Sequence, residues 1–492
     1  MTEFHNDKSE MMYGGDMNGA TDLVVNFRKI VDGRFAKFVL KQMTKPAKFE
    51  HALAVLSGLE EPRSVKEKMN VSVIETALKR AMKSFNISDM KDIRKALEEP
   101  FMRKGVANTL RSVAKYGITK PQVFEAPLMI VWNTTKQCNL KCKHCYASAG
   151  PQKKPDEMTL PQKLRVVDKL NTAGVTMIAF SGGEPLISPD FWPLAEYASK
   201  KGMYTTIATN GTLLTQRNVK KLQEVGIKYV EVSLDASVPD IHDEFRGMKG
   251  AWQRTVQGIK NVVENGSFDT AIATTATKYN LNDIPRMVEL ARDLKVRKFI
   301  VFNFVPTGRG KEIIDNDLTP QDREKLLNYL YDEWQRKDVD IFSTSPTYSK
   351  VGIERVTSGT GQTYSPTHFA STDYGSTGIA IADFIGGCGA GRIYAALDDN
   401  GDLYPCVFLP LKAGNILEND FQDVWENSPM LKDLRNREIL GGACSTCNFK
   451  YSCGGCRARA YGYYGDYNAP DPGCTLNSSY YNEILASVNL QE

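Results

Sequence analysis

The chain has 492 residues, of which 42% are hydrophobic, and its formal net charge at neutral pH is only +4. This length and apolar content are enough for roughly two to four domains with a sizeable core. The small net charge argues against a general attraction to nucleic acid. Neither a membrane-spanning apolar run nor an apolar signal core is found, so we expect a cytoplasmic protein.

The first 125 residues predict a helical region behind a disordered tail at 1–20. Over 21–125, apolar residues recur at helical spacing, beginning with Val24, Phe27 and Ile30. Lys and Arg outnumber the acidic residues between 22 and 50. Two interpretations remain open: a helical cap docked on the main domain, or a basic amphipathic face that makes peripheral contact with an anionic membrane.

From 126 to 340, strand-like apolar runs alternate with amphipathic segments, and this pattern predicts a parallel α/β sheet. An example of such a helix follows Asn282, and another is predicted at 320–335. Right-handed crossovers roll such units into a partial (β/α)6 barrel of the TIM type. The predicted strands are 127–134, 176–181, 204–209, 228–234, 269–275 and 297–304.

Residues 341–385 are rich in Ser, Thr and Gly and predict a loop or linker, and 386–492 form a separate C-terminal domain. All ten cysteines fall in two zones, one at 138–145 and one at 388–474. Structural cysteines would be scattered through the core, so this grouping indicates metal ligands.

The first zone reads CNLKCKHC and contains Cys138, Cys142 and Cys145 directly after the first predicted strand. Active sites of such barrels gather at the carboxyl ends of the strands. A structural zinc site needs four ligands. A cubane [4Fe–4S] cluster held by three cysteines instead leaves one iron open to a small chelating molecule.

This C-x3-C-x2-C spacing after the first barrel strand resembles radical S-adenosylmethionine (SAM) enzymes. SGGEP at 181–185, ATNGTLL at 208–214, SLDASVPDIHDEFRG at 233–247 and VFNFVPTGRG at 301–310 each end a predicted strand, as the family's cofactor elements do. The resemblance implies reductive cleavage of SAM to a 5′-deoxyadenosyl radical, which abstracts hydrogen from a substrate. It also implies SAM contacts, which we expect at Gly182, Gly183, Glu184, Asn210, Ser233, Asp235 and Arg246.

The seven C-terminal cysteines resemble the SPASM domain, which binds auxiliary clusters. One departure is x2 instead of the common x3 before Cys456, and paired zinc ribbons are the alternative. The resemblance implies one cluster on Cys388, Cys406 and Cys456, which lacks a fourth cysteine. Either His368 or another loop side chain completes it, or the iron is open. The other cluster takes Cys444, Cys447, Cys453 and Cys474.

Together the resemblances imply three [4Fe–4S] clusters, SAM and an electron donor such as ferredoxin or flavodoxin. The substrate is expected to be a ribosomal peptide or an iron tetrapyrrole. A membrane lipid is an alternative, because the N-terminal helices are basic. A non-catalytic iron–sulfur electron carrier is the alternative of another class, but a carrier needs no SGGEP-type cosubstrate element.

Overall fold

The structure, a computed structural model, describes residues 46–84, 90–359, 366–367, 370–371 and 383–482. The predicted tail at 1–20, most of the basic stretch at 22–50 and His368 lie outside these ranges.

The described N-terminal region consists of helices, and they dock on the sheet that follows. Their small core contains Phe49, Leu53 and Leu97. From the last helix, the Asn108 amide donates to the carbonyls of Ala126 (2.9 Å) and Gly174 (3.1 Å), which ties this region to the barrel. The helices are Pro46–Ser57 (α1), Val65–Ser84 (α2), Met90–Ala96 (α3) and Pro100–Tyr116 (α4).

Parallel strands then alternate with helices, so the predicted α/β class with a partial barrel is confirmed. The six predicted strands are all present, with bounds within two residues of the prediction. Each strand pairs in parallel with the next. The strands are Met129–Thr135 (β1), Met177–Gly182 (β2), Tyr204–Thr209 (β3), Tyr229–Ser233 (β4), Asp269–Ala276 (β5), Lys298–Asn303 (β6) and Asp340–Ser343 (β7).

Helices cover the outer face of this sheet. In the helix predicted after Asn282, one face is buried against the core through Ile284, Met287, Val288 and Ala291. The helices are Leu160–Ala173 (α5), Phe191–Lys200 (α6), Gln216–Glu224 (α7), Pro239–Arg246 (α8), Ala251–Asn265 (α9), Ile284–Asp293 (α10), Pro320–Gln335 (α11) and Thr347–Thr357 (α12). Short 3-10 helices lie at Pro185–Ile187, Leu281–Asp283, Gly308–Asn316, Arg437–Ile439 and Thr475–Asn477.

A loop or linker was predicted for 341–385, but its first part is wrong, because a strand and a helix lie there. Strand β7 pairs with β6 as a seventh parallel strand, and helix α12 follows it. The strand was missed because DIFS is short and follows a charged turn. Further along the linker, Pro366–Thr367 (β8) and Ala370–Ser371 (β9) form an antiparallel pair.

The C-terminal region is not a separate layer, because it continues the barrel sheet. Strand β10 pairs in parallel with β1, and β11 and β12 follow antiparallel, so the order is β12-β11-β10-β1-β2-β3-β4-β5-β6-β7. These elements are Tyr394–Leu397 (β10), Asp402–Tyr404 (β11), Gly414–Asn415 (β12), Phe421–Asn427 (α13), Pro429–Arg435 (α14), Ala443–Thr446 (α15) and Arg457–Tyr464 (α16).

Candidate functional site

A cavity of about 430 Å³ fills the barrel, and its wall includes side chains from β1 to β7 and from β10. Six thiols line this cavity: Cys138, Cys142, Cys145, Cys388, Cys406 and Cys456. These two groups of three cysteines lie far apart along the sequence but face one common cavity. A substrate in that space would contact both groups.

The catalytic thiol loop leaves the carboxyl end of β1 and is held by backbone hydrogen bonds. The Cys138 N–H donates to the Gly150 carbonyl at 2.7 Å. The Ala149 N–H donates to Cys145 Sγ at 3.4 Å. Burial raises the pKa of the Cys138 thiol to about 12 and raises that of Cys142. Such thiols remain protonated unless a metal binds them, so the loop suits a cluster and not a free nucleophile.

The glycines of SGGEP are required by close backbone contacts with this loop. Gly182 has φ 121°, and a Cβ there would lie 2.4 Å from the Thr135 carbonyl oxygen. A Cβ at Gly183 would lie 2.1 Å from the Gln137 carbonyl oxygen. The Gly183 N–H instead donates to the Thr135 carbonyl at 2.7 Å. Both glycines line the cavity, as predicted residues near the cofactor should.

Glu184 does not lie on the cavity wall, and its contact with SAM stays a prediction. Its side chain is completely buried, and it accepts hydrogen bonds from the Thr209 hydroxyl (2.7 Å) and the Asn210 N–H (2.8 Å). Burial raises its pKa to about 7, against the lowering effect of those bonds. Glu184 therefore positions the turn after β3, which carries Asn210 to the cavity.

Asn210 and Ser233 both reach the cavity from the ends of β3 and β4. The Asn210 amide donates to Asn139 Oδ1 at 2.9 Å and lies 4.0 Å from Cys138 Sγ. This turn is thereby joined directly to the catalytic thiol loop.

Asp235, like Glu184, is buried behind the wall and acts on another side chain. Its carboxylate accepts from Arg246 Nε at 2.6 Å and from the Thr275 N–H at 2.9 Å. Burial raises the pKa of Asp235, but the Arg246 guanidinium outweighs it and holds the pKa below its usual range. Arg246 does line the cavity, with Nη1 3.9 Å from Cys142 Sγ.

Three wall residues were not among the predicted site residues. The Tyr146 hydroxyl donates to Asn133 Oδ1 at 2.9 Å. His144 stacks on Phe245 with ring centroids 4.2 Å apart, and burial lowers its pKa to about 4. Both lie inside CKHCY, directly before and after Cys145, and this was an available signal because aromatic residues beside buried ligands shield them from water.

Arg309, the third of these residues, lies within the quoted VFNFVPTGRG segment. Its guanidinium donates to the Cys142 carbonyl (2.9 Å) and the Ala149 carbonyl (2.7 Å). Within the described residues its buried Nη2 atom has no hydrogen-bond partner. Arg309 thus links β6 to the thiol loop and keeps one donor for a ligand.

The second group of three thiols lies across the cavity, beside β10. The Tyr394 hydroxyl donates to Cys406 Sγ at 3.3 Å, and the Cys388 N–H donates to the Cys453 carbonyl at 3.1 Å. Burial raises the pKa of Cys406 to about 11 and that of Cys456 to about 12.

The remaining four thiols lie together around a separate cavity of about 20 Å³. This cavity is lined by Cys444, Cys447, Cys453 and Cys474. N–H groups point at these sulfurs, such as Phe449 N–H to Cys447 Sγ at 3.4 Å. The partition into three and four agrees with the one that the resemblance implied.

No three His, Cys, Asp or Glu side chains of the described ranges converge as a single metal ion would require. A tetrahedral zinc ion, with Zn–S bonds of about 2.3 Å, draws its ligands close together. The thiols instead surround spaces, and those whose pKa is raised by burial, such as Cys138, Cys406 and Cys456, require a metal group to ionise them. This donor set fits iron–sulfur clusters.

These observations define a partial barrel with three groups of cysteine ligands, two of which line one large cavity. Residues 132–291 match the radical SAM superfamily, and residues 388–448 match the SPASM iron–sulfur cluster-binding domain. The chain belongs to the radical SAM superfamily, in the group with a SPASM domain.

Curated relatives and a solved structure support this assignment. The AdoMet-dependent heme synthase of Methanosarcina barkeri is 35% identical over 350 residues, which cover 71% of this chain and 96% of the relative. The mycofactocin maturase MftC of Mycolicibacterium smegmatis is 31% identical over 355 residues, or 71% of this chain and 83% of the relative. Streptococcus suis SuiB bound to its precursor peptide has a TM-score of 0.61 at 19% identity, covering 87% of this chain and 93% of SuiB, which shows the fold alone.

The predicted family, enzyme class and cofactors are therefore confirmed. The protein is a radical SAM oxidoreductase that binds [4Fe–4S] clusters and SAM, and it cleaves SAM reductively to abstract hydrogen from a substrate. The electron-carrier alternative is excluded by this membership. In the described part of the chain, no helix is long and apolar enough to cross a membrane.

Proposed function

We propose that this enzyme abstracts hydrogen from a side chain of an iron tetrapyrrole. The observation that carries the proposal is the similarity to AdoMet-dependent heme synthase, which extends over 96% of that protein at 35% identity. Because the match includes nearly the whole relative, barrel and SPASM domain are compared together.

The cavity wall supports this substrate class. Aromatic side chains from several elements line it, including Phe302, Tyr394 and Phe408, and Phe408 also contacts Tyr146 edge-on with ring centroids 5.2 Å apart. Flat apolar molecules pack well against such surfaces. Polar side chains lie among the apolar ones, such as Asn210, Ser233 and Arg246, and such groups orient a bound ligand.

When bound, the cluster at the thiol loop supplies the electron that cleaves SAM. We assign contacts with SAM to Gly182, Gly183, Asn210, Ser233 and Arg246. Arg309 is a further candidate, because a guanidinium binds a carboxylate through paired N–H groups. Glu184 and Asp235 are proposed as positioning residues, since each holds a wall residue from behind.

We also propose that one iron of the cluster at Cys388, Cys406 and Cys456 is open to substrate. The chain has no further cysteine for it, since the other seven are assigned. An open iron should change its electron paramagnetic resonance signal when substrate is added. If His368→Ala alters the resting signal, the histidine is a ligand and the vacancy is wrong.

The electron for SAM cleavage is proposed to come from a small carrier such as ferredoxin or flavodoxin.

Peripheral membrane contact is also proposed, because α2 has the exposed apolar residues Val65 (78% exposed), Met69 (65%) and Val73 (50%) at helical spacing. Changing all three to Ser should abolish sedimentation with anionic vesicles at unchanged iron content. If the wild-type chain does not bind such vesicles, there is no membrane contact.

The test of function uses the anaerobically reconstituted enzyme with SAM, dithionite and Fe-coproporphyrin III. We expect 5′-deoxyadenosine formation that depends on the porphyrin, together with a changed porphyrin mass by mass spectrometry. The Cys142→Ala variant serves as the control and should give neither. An unchanged porphyrin would contradict the proposal.

A peptide substrate is the second candidate, favoured by the 31% identity to a mycofactocin maturase. Formation of 5′-deoxyadenosine that depends on a short peptide from a neighbouring gene, and not on the porphyrin, would select it. None of the relatives reported above is named for a lipid substrate.

A further inference from the structure

Glu231 is a carboxylic acid on the wall of the main cavity, and it has no partner among the residues that the structure describes. It lies at the middle of β4 and lines the cavity, whereas its neighbours Val230 and Val232 are buried on the opposite face. This is the alternation that a strand imposes. Among the described residues, no hydrogen bond or ion pair to the Glu231 carboxyl group is found.

The cations on the same wall are already engaged. Arg246 pairs with Asp235, and Lys298 pairs with Asp269. Arg309 lies at the thiol loop and donates to backbone carbonyls there. The Glu231 carboxyl group is therefore available to bind a ligand, and no cation among the described residues neutralises it.

Burial alone raises the pKa of Glu231 to about 7, so the protonated form is well populated near neutral pH. The tyrosines and His144 on the same wall do not change charge in that range. Burial raises the pKa of Tyr204 to about 12, raises those of Tyr146 and Tyr229 as well, and lowers that of His144 to about 4. A neutral acid in this position can donate a hydrogen bond.

The depth of Glu231 suits a substrate side chain that ends in a carboxyl group. Glu231 precedes Ser233 by two residues on the same strand face, and thus lies about 6.6 Å deeper at roughly 3.3 Å per residue. Ser233 is at the level where we assign contacts with SAM. A carboxyethyl group that enters from the thiol end would place its methylenes between these two levels.

We propose that Glu231 anchors a carboxyl group of the substrate by sharing one proton with it. This inference rests on the proposed tetrapyrrole substrate, whose side chains can end in carboxyl groups. Two carboxyl groups at close range hold one proton between them, because both cannot be ionised together. The shared O–H···O⁻ bond is charge-assisted and therefore strong.

The test compares wild type, Glu231→Ala and Glu231→Gln, all as reconstituted holoenzymes with matched iron content. Fe-coproporphyrin III is titrated anaerobically and its Soret shift is followed. Glu231→Ala should weaken binding roughly 10- to 100-fold, the loss expected for one hydrogen bond to a charged group. Glu231→Gln should stay within about threefold of wild type, because its amide still donates to a carboxylate.

The pH dependence gives an independent measure. Wild-type affinity should fall as pH rises above about 7, since an ionised Glu231 repels the substrate carboxylate, whereas Glu231→Gln should show no such fall. Glu224→Gln makes the same chemical change at an exposed position of α7 and should match wild type throughout.

The possible outcomes separate the two proposals. If wild type binds the porphyrin and Glu231→Ala binds it equally well, the anchor is wrong and the tetrapyrrole function stands. If Glu231→Gln is as weak as Glu231→Ala, the site needs a negative charge and takes a cation, which also overturns the anchor. If the wild-type enzyme does not bind the porphyrin, the proposed function and the anchor fail together.

Discussion

The two thiol-lined cavities of this protein differ most in the space that they leave. The large cavity of about 430 Å³ is lined by two groups of three cysteines, and the small one of about 20 Å³ by a group of four. A group of three cysteines is one short of the four ligands that a [4Fe–4S] cluster takes, so we expect an open iron there that needs room for a small molecule. A group of four completes its cluster and needs none.

We propose that this difference reflects two separate roles. In this proposal SAM and substrate react in the large cavity, and the small one serves electron transfer and the stability of the domain. The four predictions below test that division, in order of decreasing expected effect.

The largest effect is expected at the thiol loop. Changing Cys138, Cys142 and Cys145 to Ala should remove about four of about twelve irons per chain and abolish SAM cleavage, because this loop is proposed to hold the cluster that supplies the electron. Iron analysis and chromatography of 5′-deoxyadenosine measure both quantities. Retained cleavage would show that the catalytic site lies elsewhere.

The small cavity should behave differently. Changing Cys444, Cys447, Cys453 and Cys474 to Ala should also remove about four irons, but slow uncoupled cleavage of SAM should persist. Product formation should fall to background. If SAM cleavage is lost as completely as in the thiol-loop variant, the two cavities are not independent and the comparison is wrong.

On the wall of the large cavity, the Asp235–Arg246 pair is expected to matter for both stability and binding. Asp235→Asn leaves Arg246, which is only 7% exposed, without its counter-charge. Loss of one member of a buried pair destabilises by about 3–5 kcal/mol, measurable by urea unfolding. Asp293→Asn on the exposed end of α10 is the matched control and should change stability little. SAM affinity should fall as well, because Arg246 loses its fixed position.

The smallest effect concerns the pH dependence of stability through Glu184. Its pKa is raised to about 7 in the folded chain, from 4.5 in the unfolded one. Between these values the unfolded chain releases a proton that the folded chain keeps, so stability falls as pH rises, by about 3 kcal/mol in total. Glu184→Gln should remove this contribution. An identical pH slope in the variant would show that Glu184 is ionised in the folded chain.

Much of the architecture followed from local patterns. The strand at 204–209 and the helix at 320–335 have the predicted bounds, because alternation and helical periodicity are properties of neighbouring residues. The short segment at 340–343 carries too few residues for such a pattern. Its place as β7 depends on pairing with β6, which the sequence does not encode locally.

In the candidate site, too, some features follow from the local sequence and others only from the fold. The spacing of Cys138, Cys142 and Cys145 is local, so the sequence determined a three-thiol loop with one ligand missing. Glu184 and Asp235 were expected at SAM, whereas the structure shows both buried behind the wall. Which atoms a buried carboxylate contacts depends on residues from other strands, such as Thr209 and Thr275.

By itself, then, the sequence determined the family, the six strands from β1 to β6 and the grouping of the thiols, because each is written in spacings of a few residues. Only the tertiary structure decided that β10 joins β1, so that Cys406 and Cys138 face one cavity across 268 residues of chain (406 − 138). Contacts over that distance arise when the sheet closes around its core, which no local spacing encodes. The same closure brings Arg246 and Lys298 to the wall that carries Glu231, and because they pair with Asp235 and Asp269, Glu231 has no partner among the described residues.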